Sequence, residues 1–203
     1  MKLPNNSNSW VWGESLNRYT MPYSDTYGIP TKTQEGQWVH DYKYSSEMDI
    51  RERTRITREF TNRVFNLVKL RFIEVDKTQP PIDVCIAPPG NREFDFPLPN
   101  QICKLLCRDH SWMKLGSHAI SKTRVSPVLK NIDPEFRPNV VQGLYRIDEQ
   151  VMPKPTHGIL IIDDVYETGS TLRSLCETLN KTYPRIPRYV VTLTHLFSAE
   201  RSQ

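Results

Sequence analysis

"GILIIDDVYETGSTL", residues 158–172, runs four aliphatics straight into two adjacent carboxylates and then into a Thr-Gly turn flanked by hydroxyl residues. Aliphatics at Ile159–Ile162 without polar alternation suit a strand buried on both faces, as in a parallel sheet covered by helices. A tight turn is expected over 165–170. The following "TLRSLCETL" starts a helix through about Asn180, with Leu172, Leu175, Cys176 and Leu179 inward. Ligands of open parallel sheets bind beyond the carboxyl ends of the strands, so Asp163 and Asp164 emerge where a ligand would sit. A loop feeding a helix N-terminus offers backbone N–H groups and the positive end of the helix dipole, which together cradle phosphate. Gly169 lets the backbone approach an anion closely, and Thr168, Ser170 and Thr171 add hydroxyl donors. The aspartates cannot bind that phosphate. They can accept hydrogen bonds from sugar hydroxyls or help hold a divalent cation. Phosphate site and carboxylates together suit one molecule carrying a phosphate beside a diol, such as a ribose 5-phosphate.

Outward from this stretch, strands and helices alternate. "PIDVCIAPP" (81–89) is a short β-branched run stopped by prolines, a buried strand. "NQICKLLCRDH" (100–110) reads as a helix with Ile102, Leu105 and Leu106 inward. "LYRI" (144–147) is a short strand and "RYVVTLTHLF" (188–197) the final one. A long helix is expected from Ser46, capped there with Asp49 three residues on, and Ile56, Phe60, Val64, Leu67 and Phe72 form its apolar face. Its arginines and glutamates read as a solvated face. "QWVHDYKY" (37–44) alternates as an edge strand. Residues 114–143 show no period, and a loop that long in a compact domain is functional or mobile. Residues 1–36 hold Trp10, Trp12, Tyr19, Tyr23 and Tyr27, too many aromatics for a disordered tail. They read as an irregular N-terminal arm packed on the body or on a protein partner, ahead of a domain over 37–203. The order of elements means α/β with a mainly parallel sheet flanked by helices.

Composition narrows the function classes. A chain of 203 residues buries roughly 70% of its unfolded surface and needs no staples. Its four cysteines form neither a disulfide framework nor paired zinc knuckles. The start turns polar at once, and no apolar run approaches the roughly 20 residues that cross a bilayer, so a reduced, cytoplasmic chain without a membrane role is expected. The net charge of +4 admits an anionic ligand and leaves nucleic acid open, without a basic tail that demands it. Sixteen prolines against eight glycines point to stiff, extended connections.

The order of apolar strand, two acids, variable positions, Thr-Gly and Ser-Thr in "ILIIDDVYETGSTL" closely resembles the phosphoribosyl-pyrophosphate motif of type I phosphoribosyltransferases. Weaker likeness to the ComF-like branch covers about 38–198: "HDYKYSSEMDIRE", "IDVCIAPP", "SKTRVSPVLKNIDPEFRPNVVQGLYRID" and "VVTLTHLF". The chain departs from that branch in holding no cysteine within 1–80, where the branch commonly has a zinc module. The resemblance implies a type I phosphoribosyltransferase fold and a cytoplasmic enzyme. Such an enzyme moves ribose phosphate from phosphoribosyl pyrophosphate, with magnesium, to a nucleobase or other nitrogen nucleophile and releases pyrophosphate. It also implies a homodimer. Asp163 and Asp164 would take the ribose hydroxyls and help hold magnesium indirectly, and residues 163–171, Val165 and Tyr166 included, would form the donor-binding loop.

Glu167 matches the position of an acid that accepts the base proton in hypoxanthine-type relatives; a simple fit to turn geometry competes with that role. For pyrophosphate, "APPGNRE" offers Pro88, Pro89, Gly90, Asn91 and Arg92, and the long basic region offers Lys122, Arg124, Arg137 and Asn139. An ordinary proline turn and plain surface bases are the competing readings. Cys103, Cys107, His110 and His118 invite zinc, but core cysteines one helical turn apart explain the spacing equally well. His40, His157 and His195 suggest no partner. A non-catalytic module of the same fold, serving as a regulator or effector in a bacterial nucleic-acid or defence complex, is the alternative function.

Overall fold

The computed structural model describes residues 1–4, 9–24, 30–72, 81–90, 97–125, 127, 132–133 and 135–196. In chain order the elements are β1 (Trp12–Arg18), β2 (Thr20–Ser24), β3 (Pro30–Lys32), α1 (Gln34–Tyr44), α2 (Ile50–Phe72), β4 (Val84–Ile86) and α3 (Leu98–Asp109). They continue as β5 (Lys114–Leu115), β6 (Ile120–Lys122), α4 (Arg137–Val141), β7 (Tyr145–Ile147), β8 (Ile159–Tyr166), α5 (Ser170–Thr182) and β9 (Arg188–His195). Five strands make the main sheet in the order β1-β9-β8-β4-β5, and every neighbouring pair is parallel. The α/β class with a helix-flanked parallel sheet is therefore observed.

The sheet has a core on each face. Leu160 and Ile162 of β8 join Cys85 and Val191 against α1, α2 and α3. Ile159 and Ile161 join Val84, Ile86 and Val190 against α5 and the β6–β7 hairpin. All four β8 aliphatics are fully buried, worth roughly 1.5–3 kcal/mol each, so this segment fixes the middle of the sheet.

Several expectations are corrected. The "QWVHDYKY" stretch is helix, not edge strand: the Thr33 hydroxyl accepts the Gly36 N–H at 3.0 Å, and Val39 and Tyr42 are buried at helical spacing. Gly36 is required there because a Cβ would stand 2.0 Å from the Tyr19 carbonyl oxygen. The N-terminal residues pack on the body but are not irregular, since β1 is the edge strand of the main sheet and β2–β3 form a hairpin. Helix α2 begins at Ile50 rather than Ser46, and the Asp49 carboxylate accepts the Glu52 N–H at 2.8 Å. In α3, Cys103 rather than Leu105 accompanies Ile102 and Leu106 inward. Residues 114–143 are no single loop, because they contribute β5, β6 and α4. Strand β8 continues to Tyr166, which shortens the expected turn to 167–169.

At the amino ends of the central strands, Asp83 ties the β4 entry to the segment before β8. Its carboxylate accepts Thr156 N–H and O–H, His157 N–H and Gly158 N–H at 2.7–3.1 Å. Burial pushes this carboxyl up, but the four donors outweigh it and hold the group below its ordinary range. A depressed carboxyl stabilises the fold above its unfolded pKa and loses that contribution as pH falls through the folded one. Asp83→Ala is therefore expected to cost about 2–3 kcal/mol at pH 7 and less near pH 3, by urea unfolding at both values.

Candidate functional site

Strand β4 leads through α3 to β5 on one side, whereas β8 leads through α5 to β9 on the other. Helices α3 and α5 cover opposite faces. The carboxyl ends of β4 and β8 thus flank a topological switch point, the crevice where open α/β sheets bind ligands. Ile86, the last residue of β4, pairs with Ile161, so β8 extends past it with Asp163 and Asp164. Ala87–Gly90 leaves β4 beside them, and the Ser117 hydroxyl accepts the Ala87 N–H at 2.9 Å.

Side chains alternate along a strand, and the two acids part accordingly. Asp164 turns toward α1, where Lys43 Nζ meets its Oδ2 at 3.0 Å. Asp163 turns toward the hairpin and interacts electrostatically with Lys122 of β6 and Tyr145 of β7. Burial and the neighbouring Asp164 push the Asp163 carboxyl up to about 7, against the opposing pull of the Asp164 N–H, Lys43 and Lys122. Burial lowers the Lys122 ammonium, with Asp163 pulling the other way. Burial and Asp163 together raise the Tyr145 phenol. A carboxyl that exchanges its proton near neutrality, ringed by two lysines and a phenol, can accept hydrogen bonds from a diol or take up a proton.

The turn after β8 is built around Gly169, which takes the left-handed conformation (φ 71°) and caps α5. A Cβ there would lie 2.8–3.0 Å from the Tyr166 ring. Thr168 Oγ1 and Ser170 Oγ are 2.8 Å apart, and the Arg173 N–H is the first in α5 to reach a helical carbonyl, that of Gly169 at 2.9 Å. The N–H groups preceding it belong to the helix end that has no intrahelical acceptors. Glu167, at the start of the turn, is ion-paired with the buried Arg137 of α4 at 2.6 Å, which offsets the carboxylate's charge just ahead of the N-terminus of α5.

Not every expected residue lines the crevice. Tyr166 is buried, edge-on to His195 at a ring separation of 5.1 Å, with its hydroxyl donating to the Pro4 carbonyl at 3.4 Å. Val165 packs against the α1–α3 core. Arg124 donates to the Val140 and Gln142 carbonyls at 3.1 and 2.9 Å, and so braces the end of α4. Arg137 serves Glu167 and the Ile132 carbonyl. Pro88, Pro89 and Gly90 stand at the switch point; Asn91 and Arg92 lie outside the described residues. Asp163 and Lys122 are brought together, and Asp164, Thr168, Gly169, Ser170 and Thr171 lie on the same β8–α5 path. Lys43 and Tyr145 join them unanticipated: Lys43 was hidden by reading α1 as a strand, and Tyr145 by a hairpin whose strands lie more than 20 residues apart.

The zinc constellation does not assemble. Cys103 is buried with its thiol against Cys85, His110 stacks on Phe65 at 4.0 Å, and His118 is exposed. Among the described residues no three His, Cys, Asp or Glu side chains form a group able to hold a metal. Likewise no described helix is long and apolar enough to cross a membrane. His40 and His157 find Asp41 Oδ1 and Thr156 Oγ1 at 3.1 and 2.9 Å. Compared with known proteins, the chain matches no family model and no curated protein.

Proposed function

We propose that the chain has the type I phosphoribosyltransferase fold and binds phosphoribosyl pyrophosphate at the β4–β8 switch point. The observation that carries this reading is the path of β8: two acids at the end of a central parallel strand, then a left-handed glycine, then the N-terminus of a 13-residue helix. The 5-phosphate rests on the amides and hydroxyls of 168–171. Asp163, with its readily exchanged proton, accepts the ribose hydroxyls, and Asp164 keeps Lys43 close to the donor. The pyrophosphate end reaches toward 87–90 and Lys122. Preorganised donors placed where charge develops are the largest contribution available to such a transfer.

Magnesium fits only in a limited way. The described residues offer no three-ligand cage, so the ion would keep several waters and bind chiefly through the donor's own oxygens, with Asp163 or Asp164 as outer support. When bound, it supplies charge neutralisation to the departing pyrophosphate. The acceptor is a nucleobase or another nitrogen nucleophile whose proton Glu167 receives once it separates from Arg137.

The Glu167–Arg137 and Lys43–Asp164 pairs also favour a second reading. Acids already neutralised by neighbours suit a module that keeps the pocket without turnover. Pyrophosphate release separates the two. With donor, magnesium and a panel of bases, turnover is expected to exceed that of an Asp163→Asn, Asp164→Asn double variant by at least a hundredfold. Equal rates, with thermal stability still rising on donor addition, would leave only the binding module.

A further inference from the structure

The exposed face of α2 is strongly basic. The helix carries seven bases, Arg51, Arg53, Arg55, Arg58, Arg63, Lys69 and Arg71, against two acids, Glu52 and Glu59. That surplus of five exceeds the surplus of four for the whole sequence. Arg53 and Arg63 are used internally: Arg53 donates to the Tyr42 carbonyl at 2.9 Å, and Arg63 meets Glu35 and Glu59 at 2.6 and 2.9 Å. The remainder, Arg71 excepted, fall on one line. Arg51, Arg55, Arg58, Asn62, Asn66 and Lys69 are all exposed and recur at intervals of three and four, so they share one helical face. At 1.5 Å per residue the line is about 27 Å long.

Helix stability does not account for this arrangement. Arg51 lies in the first turn of α2, where the helix dipole disfavours a cation. Arg51, Arg58 and Lys69 enter no ion pair among the described residues. Arg55 is held by Glu52 at 2.7 Å and lies over the Trp38 ring at 4.8 Å, which fixes its guanidinium in place. Glu52 offsets Arg55 and Asp109 acts on Arg58 at longer range, and the stripe includes two amide side chains, Asn62 and Asn66, that can donate hydrogen bonds.

We propose that this face of α2 docks the phosphate backbone of a nucleic-acid duplex. A row of guanidinium, amide and ammonium donors complements phosphates. The stripe carries no aromatic: Trp38 is covered by Arg55 and Arg63, and Phe60 is buried. It therefore lacks the stacking platform that unpaired bases require. The apolar face of α2, Ile56, Phe60, Val64 and Val68, is consumed by the core and cannot enter a bilayer. Contacts to phosphates alone bind without regard to sequence and weaken steeply with salt. This inference is independent of the ligand site at β8.

Fluorescence anisotropy with a labelled 20-base-pair DNA duplex tests it. Binding is expected at 50 mM salt with a dissociation constant of about 10⁻⁵ M, and a log–log salt slope near −3 for three to four displaced counterions. Arg51→Ala, Arg58→Ala, Lys69→Ala together should weaken binding at least tenfold and bring the slope near −1, with thermal stability retained. Lys154→Ala, Lys181→Ala, Arg185→Ala, a matched exposed set elsewhere, should change binding less than twofold. No binding by the wild type, or equal losses from the two triple variants, would overturn the proposal. So would salt-sensitive binding to anionic lipid vesicles with none to the duplex.

Discussion

Asp163→Asn is expected to stabilise the protein at pH 8 while abolishing its response to phosphoribosyl pyrophosphate. Burial and Asp164 raise this carboxyl to about 7, so the native state binds more protons than the unfolded chain between about pH 4 and pH 7. Stability must then fall as pH rises through that window and level off above it. An amide carries no such cost. The opposing pull of Lys43 and Lys122 is already contained in the value of about 7. With partial solvent screening the variant gains about 2 kcal/mol at pH 8 and under half of that at pH 5, where the unfolded carboxyl is largely ionised and the native one is not. Urea unfolding at the two values reads this directly. A loss of stability equal at both would show that the carboxylate is a structural ligand and not a strained functional one.

Gly169→Ala carries the second large effect. Two causes act at once, the left-handed φ of 71° and the Tyr166 ring at 2.8–3.0 Å from the new methyl. Tyr166 cannot yield easily, being set between His195 and the Pro4 carbonyl. The expected cost is about 1–3 kcal/mol, with donor binding lost because the loop amides rotate away from the phosphate. Gly169→Asn separates the causes. Asparagine tolerates this backbone conformation better but meets the same ring, so its thermal unfolding should resemble that of the alanine variant. Recovery to the wild-type melting temperature would contradict the packing argument.

What could be read from the sequence follows the range of the forces involved. The β8–α5 unit was legible because its signals are local: unbroken aliphatics, two acids, and a glycine where the chain must turn left-handed. Helix α1 reads as a strand because rings at Trp38, His40, Tyr42 and Tyr44 recur at every second residue, while the cap that starts the helix, Thr33, lies ahead of that run. Strand β1 is hard to read because Trp12 and Leu16 are its only large apolar residues, and its parallel partner β9 lies 177 residues away, from Trp12 to Tyr189. The same distance problem conceals the site's electrostatics. Lys43 is 121 residues from Asp164, and Arg137, read as a pyrophosphate ligand from the basic region around it, is spent on Glu167. Residue types locate an acid pair and a glycine turn leading into a helix. Only the fold shows that the acids face opposite ways, each with its own lysine.

Calorimetric titration with phosphoribosyl pyrophosphate and magnesium tests the central claim most directly, since it asks for binding whether or not turnover follows. The wild type should bind one donor per chain, with ribose 5-phosphate competing. Binding should vanish both in the Asp163→Asn, Asp164→Asn variant and in Gly169→Ala. Donor binding that persists in both variants, or no binding by the wild type, would contradict the assignment of the β4–β8 crevice.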